Sequence, residues 1–225
     1  GINLGTGRTA KSISTGADHT CAILDNGSVK CWGSNLNGEL GLDNRTSPDG
    51  DNAWANDPGE MALLNSVNLD TGRTATAISA GSWHNCALLD NGSVKCWGDN
   101  RYGQLGIDNT TDMGDDSGEM AQLTGINLGT GRTAISISAG SKGHHSCAVL
   151  DNVSVKCWGR NNFGQLGIDH TDNIGDNSSE MASLSSINLG TGRTAKSISV
   201  GVQHSCAVLD NGAVKCWGLN RYGQL

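Results

Sequence analysis

The chain has 225 residues, a formal net charge of −7, 33 glycines, two prolines and a single phenylalanine. The acidic balance argues against binding to nucleic acid, which requires a basic surface that displaces counterions, and against binding to anionic membranes. No run of apolar residues is long enough to cross a bilayer, so we expect no membrane insertion. The glycine-rich, proline-poor composition favours an all-β protein with many short strands between turns.

One pattern occurs four times along the chain: two cysteines that enclose the segment Ala-x-Leu-Asp-Asn-x-x-Val-Lys. The copies recur every 59 to 65 residues, and a period of this size indicates a propeller, a solenoid or another repeat array. Repeat proteins of this kind present surfaces, and most act as binders or scaffolds. We divide the single repeat domain into units of approximately 1–65, 66–124, 125–185 and 186–225, the last without a linking loop.

The second unit shows the predicted elements in chain order. Two short strands, Val67–Leu69 and Thr76–Ala80, lie on either side of a turn. A hairpin with strands Cys86–Leu89 and Ser93–Trp97 follows, and a glycine-rich bend, Gly98–Gly106, closes the unit. Three or four short strands are the content of one propeller blade. No segment keeps an apolar period of 3.6 residues, so we expect almost no helix beyond single turns.

The hairpin turn places the two cysteines of each unit opposite each other. In the first unit the loop 25–27, Asp-Asn-Gly, suits a type I turn followed by a left-handed residue, for which Gly is favoured. Ile23 then faces Val29, and Cys21 faces Cys31 at a Cα separation of roughly 4.5–5.5 Å, which a disulfide can span. We therefore predict four local disulfides: Cys21–Cys31, Cys86–Cys96, Cys147–Cys157 and Cys206–Cys216.

Reduced structural thiols and a zinc site are the alternatives to these disulfides. The spacing is wider than that of a zinc knuckle, and opposed cysteines on a flat hairpin pair with each other. Disulfides indicate an oxidising compartment, so we expect a secreted or cell-surface protein.

The third hairpin departs from the turn pattern. Val153 occupies the position that Gly27, Gly92 and Gly212 occupy in the other units. A β-branched residue in the left-handed conformation costs roughly 1–2 kcal/mol. We expect the third hairpin either to be strained or to use a different turn.

Polar linking loops, Asp43–Asn65, Asp108–Thr124 and Asp169–Ser185, separate the units, and each ends in Glu-Met-Ala. Insertions between repeats commonly carry binding function, and the hard oxygens of these loops make calcium the candidate cofactor, although the residue order does not match an EF-hand. The candidate calcium ligands are Asp108, Asp112, Asp115, Glu119, Asp169, Asp172, Asp176 and Glu180. A looser set in the first loop comprises Asp43, Asp49, Asp51, Asp57 and Glu60. The alternative is a solvated loop whose carboxylates meet the recurring arginines Arg8, Arg73, Arg132 and Arg193.

Histidine and tryptophan also recur in every unit. A histidine precedes each first cysteine by two residues, which favours a structural hydrogen bond at a blade corner over a metal or catalytic role. The tryptophan of each Trp-Gly pair is expected to pack between blades. Trp54 and Trp83 lie outside this pattern and are candidate contact residues, with local packing as the alternative. The recurring histidines are His19, His84, His145 and His204.

The sequence contains no catalytic constellation. We find no phosphate-binding loop ahead of a helix and no serine beside a base, and carboxylate pairs occur only within the loops. We therefore predict that the chain is not an enzyme and has no cofactor other than calcium.

The repeated sentence Gly-x-x-His-x-Cys-Ala-x-Leu-Asp-Asn-Gly-Ser-Val-Lys-Cys-Trp-Gly-x-Asn-x-x-Gly-Gln-Leu-Gly closely resembles the regulator of chromosome condensation (RCC1-like) repeat. The resemblance covers all four units. It implies a β-propeller, usually of seven blades, so four repeats would form part of a larger ring, an open arc or a longer array. The version with paired cysteines resembles a bacterial, exported branch of the family. In the second unit the matching residues are His84, Trp97, Gly103, Gln104, Leu105 and Gly106.

The resemblance implies a non-enzymatic module that binds a protein partner or acts as a scaffold at the cell surface. The alternative is a structural subunit of an extracellular filament that self-associates through its chain ends, where unpaired strands would be exposed. Guanine nucleotide exchange or chromatin binding, as in eukaryotic members, is disfavoured by the acidic charge and the paired cysteines. Inhibition of a secreted enzyme is a special case of protein binding.

Overall fold

A computed structural model describes residues 2–46, 53–54 and 60–225, without the side chains of residues 53, 54, 62 and 63. Within that part the chain forms thirteen strands in four sheets and three short helices. The first sheet contains β1 (Ala10–Thr15), β2 (His19–Leu24), β3 (Val29–Ser34) and β4 (Ala53–Trp54); the second contains β5 (Ala75–Ala80), β6 (His84–Leu89) and β7 (Val94–Gly98). The third contains β8 (Ala134–Ala139), β9 (His145–Leu150) and β10 (Val155–Gly159); the fourth contains β11 (Ala195–Val200), β12 (His204–Leu209) and β13 (Val214–Gly218).

Helix is confined to single turns at the Glu-Met-Ala segments, as the sequence predicts. These are α1 (Glu60–Leu63), α2 (Glu119–Gln122) and α3 (Glu180–Ser183). In the described part of the chain, no helix has the length and apolar character that crossing a bilayer requires.

Each sheet is one antiparallel propeller blade, which confirms the predicted all-β propeller architecture. The strands of a blade pair in chain order, and the first strand of each blade carries a register shift near its start. The hairpin register is the predicted one: Ile23 pairs with Val29 and Cys21 pairs with Cys31. The first strands of successive blades contact each other, β1 with β5, β5 with β8 and β8 with β11.

The predicted strand at Val67–Leu69 is wrong. This segment has no strand structure, and the Val67 N–H donates to the Val29 carbonyl at 2.8 Å. Ile126 makes the equivalent bond to Val94. The segment therefore lies along the outer edge of the preceding blade. A single hydrogen bond at that edge is too little to establish a strand ladder.

The hydrophobic core lies between blades. At the first junction Ile23, Val29 and Leu40 of blade 1 pack with Leu89 and Trp97 of blade 2, and all five are buried. The next two junctions repeat this arrangement. Each blade is therefore stabilised mainly by its neighbours, as is typical of repeat proteins.

Val153 adopts the left-handed turn conformation that glycine occupies in the other hairpins. Its φ is 59°, against 80° for Gly27, 78° for Gly92 and 85° for Gly212. The Val153 N–H donates to the Leu150 carbonyl at 2.9 Å, so the third hairpin keeps the common turn and is strained.

The two ends of the sheets form distinct faces. The hairpin turns lie at one end of the sheets, which we call the turn face. The Arg-containing turns that precede each first strand lie at the same end, as the ion pair between Arg8 and Asp25 shows. The opposite end, the corner face, joins the residue before each second strand to the bend after each third strand. Four backbone hydrogen bonds make this connection: Ser34 to Asp18, Asp99 to Trp83, Arg160 to His144 and Leu219 to Gln203.

Candidate functional site

All eight cysteines form disulfides across their own hairpins. The structure contains the four pairs that the hairpin register predicts, with Cα–Cα distances of 4.0 to 4.1 Å, and no cysteine is free in the described residues. The first three disulfides lie in the cores between blades, where Cys86 and Cys147 are 1% exposed, whereas Cys206 and Cys216 of the last blade are partly exposed. The cysteines therefore serve structure and are not available as nucleophiles.

The recurring histidines connect neighbouring blades. His84 Nε2 lies 2.9 Å from Ser146 Oγ, and that hydroxyl donates its proton to the Gln104 carbonyl. Ser146 Oγ therefore accepts from His84, which must carry its proton on Nε2. His145 makes the equivalent bond to Ser205 at 2.8 Å. These contacts agree with the predicted structural role at a blade corner.

Burial keeps these rings neutral. Both His84 and His145 are fully buried, and burial lowers the pKa of each to about 3. Burial also lowers the pKa of His19, whose Nε2 lies 3.0 Å from Asn85 Oδ1. Each Nδ1 is buried without a hydrogen-bond partner in the described part of the chain.

Three of the four recurring tryptophans, Trp97, Trp158 and Trp217, pack between blades as predicted. Trp97 Nε1 donates to the Glu39 carbonyl of the preceding blade at 3.0 Å, and Trp158 Nε1 donates to the Gln104 carbonyl at 3.0 Å. Trp217 makes the same bond to Gln165 at 2.9 Å. The glycine-rich bend of one blade thus provides the acceptor for the next.

The recurring arginines do not meet the linking-loop carboxylates, so that expectation is wrong. They pair with the hairpin aspartates on the turn face, because strand direction places the loops near the opposite face. The pairs are Arg8–Asp25 at 3.0 Å, Arg73–Asp90 at 3.2 Å, Arg132–Asp151 at 3.2 Å and Arg193–Asp210 at 3.1 Å.

Two acidic hollows lie on the corner face, each between a linking loop and the bend of the same repeat. The second hollow, in repeat 2, has a volume of about 400 Å³, and the third hollow, in repeat 3, has a volume of about 670 Å³. Residues of the second hollow include Arg45, Asp99, Arg101, Asp112, Asp115 and Glu119. Residues of the third hollow include Asn162, Asp172, Asn173, Asp176, Asn177 and Glu180.

Hydrogen bonds within each loop shape these hollows. Glu119 Oε2 accepts from three successive backbone N–H groups, those of residues 114, 115 and 116, at 2.9 to 3.1 Å. Glu180 Oε2 accepts from residues 175, 176 and 177 in the same way, at 2.9 to 3.2 Å. The two loops therefore have one backbone design with different side chains.

The structure brings together six of the eight candidate calcium ligands, three in each hollow. The other two lie apart: Asp108 Oδ1 accepts from the Met181 N–H at 2.8 Å, and Asp169 faces a separate groove with Phe163 and Trp217. In the described residues, no group of three or more His, Cys, Asp or Glu side chains is arranged to hold a metal ion. Calcium binding stays a prediction. Asp49, Asp51 and Asp57 of the looser first set lie outside the described residues.

Trp83 belongs to a strip of aromatic and cationic side chains that crosses from blade 2 to blade 3. The Arg101 guanidinium lies 5.1 Å from the Trp83 ring centroid, and the His144 ring lies 5.1 Å from it on the blade 3 side. His144 also lies 5.4 Å from Tyr102, over which Arg160 lies at 4.9 Å. The corner strip, as we call these five residues, is partly exposed and borders the second hollow through Arg101.

A buried carboxylate supports the corner strip. Asp99 is 1% exposed and accepts from Arg101 Nε at 2.8 Å and from Gln104 Nε2 at 2.7 Å, while His144 Nδ1 lies 3.7 Å away. Burial by itself raises the pKa of Asp99, but His144 and Arg101 outweigh it and hold that pKa below its usual value. Asp99 therefore fixes Arg101 in place against Trp83.

Sequence reasoning identified only Trp83 of this strip. A signal for the rest was present, because the bend carries an aromatic residue in three repeats: Tyr102, Phe163 and Tyr222. The other candidate contact residue, Trp54, lies in β4, and its side chain is outside the described part.

Comparison with known proteins gives relatives over nearly the whole chain. The ultraviolet-B receptor UVR8 of Arabidopsis thaliana is 29% identical over 214 residues, which cover 95% of this chain and 42% of the receptor. Protein pim1 of Schizosaccharomyces pombe is 29% identical over 213 residues, which cover 92% of this chain and 36% of that protein. This chain spans less than half the length of either relative.

Solved structures share the fold. Yeast RCC1 (Prp20), in a crystal structure with Kap60, matches with a TM-score of 0.72 at 19% identity, over 97% of this chain and 46% of that chain. Human WBSCR16 matches with a TM-score of 0.70 at 20% identity, over 97% of this chain and 51% of that chain.

The family model of the regulator of chromosome condensation (RCC1) repeat matches once in each blade, at residues 10–39, 75–104, 134–165 and 195–224. These segments comprise just over half of the chain. Each runs from the first strand of a blade to its glycine-rich bend, the two elements that form the junctions described above. The chain therefore belongs to the RCC1 repeat family.

Proposed function

We propose that this chain is a non-enzymatic protein-binding propeller module that acts outside the cytosol and contacts its partner through the corner face. The observation that carries this proposal is the corner strip. Aromatic and arginine side chains are enriched in protein interfaces and supply much of their binding energy. Trp83 and Tyr102 are only half-buried, and Arg101 is exposed.

Other observations support the proposal. Yeast RCC1 (Prp20) was crystallised bound to Kap60, and a further structural report on Prp20p concerns its binding to Gsp1p and histones, so propellers of this family bind proteins. Four disulfides suit an oxidising compartment. The histidines, cysteines and Trp-Gly tryptophans are used in blade junctions, which leaves the corner face for binding.

Site-specific photo-crosslinking tests the face. A photoreactive amino acid in place of Tyr102 is expected to give a covalent adduct with the native partner. The same amino acid in place of Thr71, which is exposed on the turn face, is the matched control. Adducts from both positions in equal yield, or from Thr71 alone, would refute the assignment of the corner face.

A second candidate function is self-assembly of copies through the flanks of the first and fourth blades. Val214 on the flank of blade 4 is the counterpart of Val94 and Val155, which are 0% exposed inside blade junctions, so a further blade of any copy placed beside it would bury it in the same way. Substituting Val214→Glu is expected to abolish concentration-dependent association in light scattering. A wild-type chain that remains a monomer at high concentration would exclude this function for it.

A further inference from the structure

The two acidic hollows differ in one respect that points to a ligand: arginine occupies the second hollow and none occupies the third. In the second hollow Arg45, which follows blade 1, donates from Nε to Asp115 Oδ2 at 2.8 Å, and its Nη2 donates to the same oxygen. The Asp115 side chain is 4% exposed, so the ion pair is formed at a buried carboxylate. The hydrogen bonds that Arg45 donates to Asp115 raise the pKa of Arg45 above its usual value.

The third hollow lacks both arginines of the second. Thr110 occupies the position of Arg45 in the next repeat, and Asn162 occupies that of Arg101. The Asn109 N–H donates to the Gly175 carbonyl at 3.1 Å, which places Thr110 beside the loop that carries Asp176. Thr110 lines the second hollow and is not among the residues that line the third.

Asp176 and Glu180 of the third hollow contact each other, and their other hydrogen-bond partners are neutral amides. Asp176 accepts from Asn177 Nδ2 at 3.0 Å and from Asn173 Nδ2 at 3.3 Å, and Glu180 accepts from backbone N–H groups and from Asn177. Among the described residues, neither Asp176 nor Glu180 forms an ion pair. Charge-assisted pairs are roughly twice as strong as neutral hydrogen bonds, so an entering cation would gain a strong partner.

We propose that the third hollow binds an arginine side chain of the protein partner, in the way that the second hollow binds Arg45. This inference rests on the proposed protein-binding function and names the chemistry of the partner. Guanidinium suits the site better than a compact ammonium, because its planar fork presents several donors to one carboxylate. The net charge of −7 attracts a basic segment over a longer range.

A calcium ion is a weaker candidate for this hollow. Glu180 Oε2 already accepts hydrogen bonds from three backbone N–H groups. A calcium ion bound to this oxygen would have to share it with these three donors. A guanidinium needs only one free carboxylate edge, as Asp115 provides for Arg45. A calcium ion needs six to eight oxygens.

The test uses a short acetylated, amidated peptide with one arginine, observed by NMR of the labelled chain. We expect saturable shifts of the backbone amides of residues 175–177. The matched peptide with citrulline, which has the same shape without the charge, is expected to give none. Asp176→Asn should weaken binding at least tenfold, because it removes the charge that the guanidinium pairs with.

Two substitutions exchange the properties of the hollows. Thr110→Arg should fill the third hollow from within and remove the peptide response, while the amide signals of the other repeats stay in place and show that the chain is folded. Arg45→Thr should free the Asp115 carboxylate in the second hollow, where Arg101 stays paired with Asp99, and create a second peptide site, with new shifts at residues 114–116. These reciprocal outcomes do not depend on knowing the native partner.

The inference is overturned if the citrulline peptide shifts the same amides, if Thr110→Arg leaves binding intact, or if calcium chloride gives the response in place of the peptide. Adducts at Tyr102 together with no arginine response would reject this inference and leave the proposed function standing. Crosslinking from the turn face together with an arginine response would reject the corner strip as the interface and leave the arginine site standing.

Discussion

Two buried histidines predict how the stability of this protein depends on pH. The pKa of His84 and of His145 is lowered to about 3 by burial, from 6.5 for an exposed imidazole. Below pH 6.5 the unfolded chain takes up a proton at each position, whereas the folded chain does not until the pH nears 3. The two neutral rings therefore make their full contribution to the free energy of unfolding above pH 6.5, and this contribution decreases as the pH falls from 6.5 towards 3.

The magnitude follows from the size of this window. At pH 4.5, two units below the unfolded value, each histidine costs roughly 3 kcal/mol, or roughly 5 kcal/mol for the pair. The whole free energy of unfolding of a typical domain is about 5–15 kcal/mol, so acid should weaken the junctions strongly. Other groups act in the opposite sense, because burial raises the pKa of Glu39 and Asp112. The prediction is therefore tested by comparing variants.

The assay is urea unfolding at pH 7.0 and pH 4.5, followed by tryptophan fluorescence. His84→Gln keeps an amide donor for Ser146 and removes one titrating ring, so the loss of stability between the two pH values should shrink by roughly 3 kcal/mol. His170→Gln, at a position where the side chain is 45% exposed, is the matched control and should leave the loss unchanged. An equal pH-dependent loss in His84→Gln and in the wild type would refute the reasoning.

Three further predictions concern the turn, the disulfides and the loops. Val153→Gly should raise the free energy of unfolding by about 1 kcal/mol in denaturant titrations, because relief of the left-handed strain exceeds the entropy that glycine adds to the unfolded chain. Gly212→Val, where an added Cβ meets nothing within 4 Å, should show the opposite sign; a destabilised Val153→Gly contradicts the strain argument. Reduction should raise the intact mass by about 8 Da, two hydrogens for each of four disulfides, and lower stability by ~2–3 kcal/mol for each loop opened; equal masses before and after would reject the disulfides. If calcium binds the linking loops, EGTA should lower the melting temperature, and unchanged melting curves would reject that prediction.

The repeat made most of the fold predictable from the sequence. Hairpin register follows from the turn, so the pairing of Cys21 with Cys31 could be worked out from Gly27 alone. The structure of the outer-edge segment Val67–Leu69 could not be predicted in this way. Its local pattern suits a strand, but its hydrogen-bond partner is a single carbonyl of the preceding blade. The sequence shows that Val153 replaces the turn glycine, but only the structure shows that the hairpin keeps the common turn under strain and does not change to another turn.

The candidate site was less predictable, because its residues are brought together across repeats. Trp83 stands out in the sequence, whereas its neighbours Arg101 and His144 are ordinary polar residues until strand direction places them on one face. Acidic loops suggested a metal, since carboxylates close together in sequence resemble a calcium loop. The structure directs three backbone N–H groups at one oxygen of Glu119, and no sequence pattern shows that these donors use the lone pairs a metal would need.

Differences among the four repeats indicate where function lies. Junctions repeat the same contacts in each repeat: a histidine to a polar side chain of the next blade, and a tryptophan to a backbone carbonyl of the preceding one. The corner face varies between repeats at positions that the junctions leave free. The residue before the second strand is Asp18, Trp83, His144 and Gln203 in successive repeats, and the residue after the Trp-Gly pair is Ser34, Asp99, Arg160 and Leu219. Asp99 is buried beneath Arg101, and Arg160 lies over Tyr102, so the variation at these positions changes the support and the side chains of the corner strip from one blade to the next, which agrees with the proposal that this face recognises a partner.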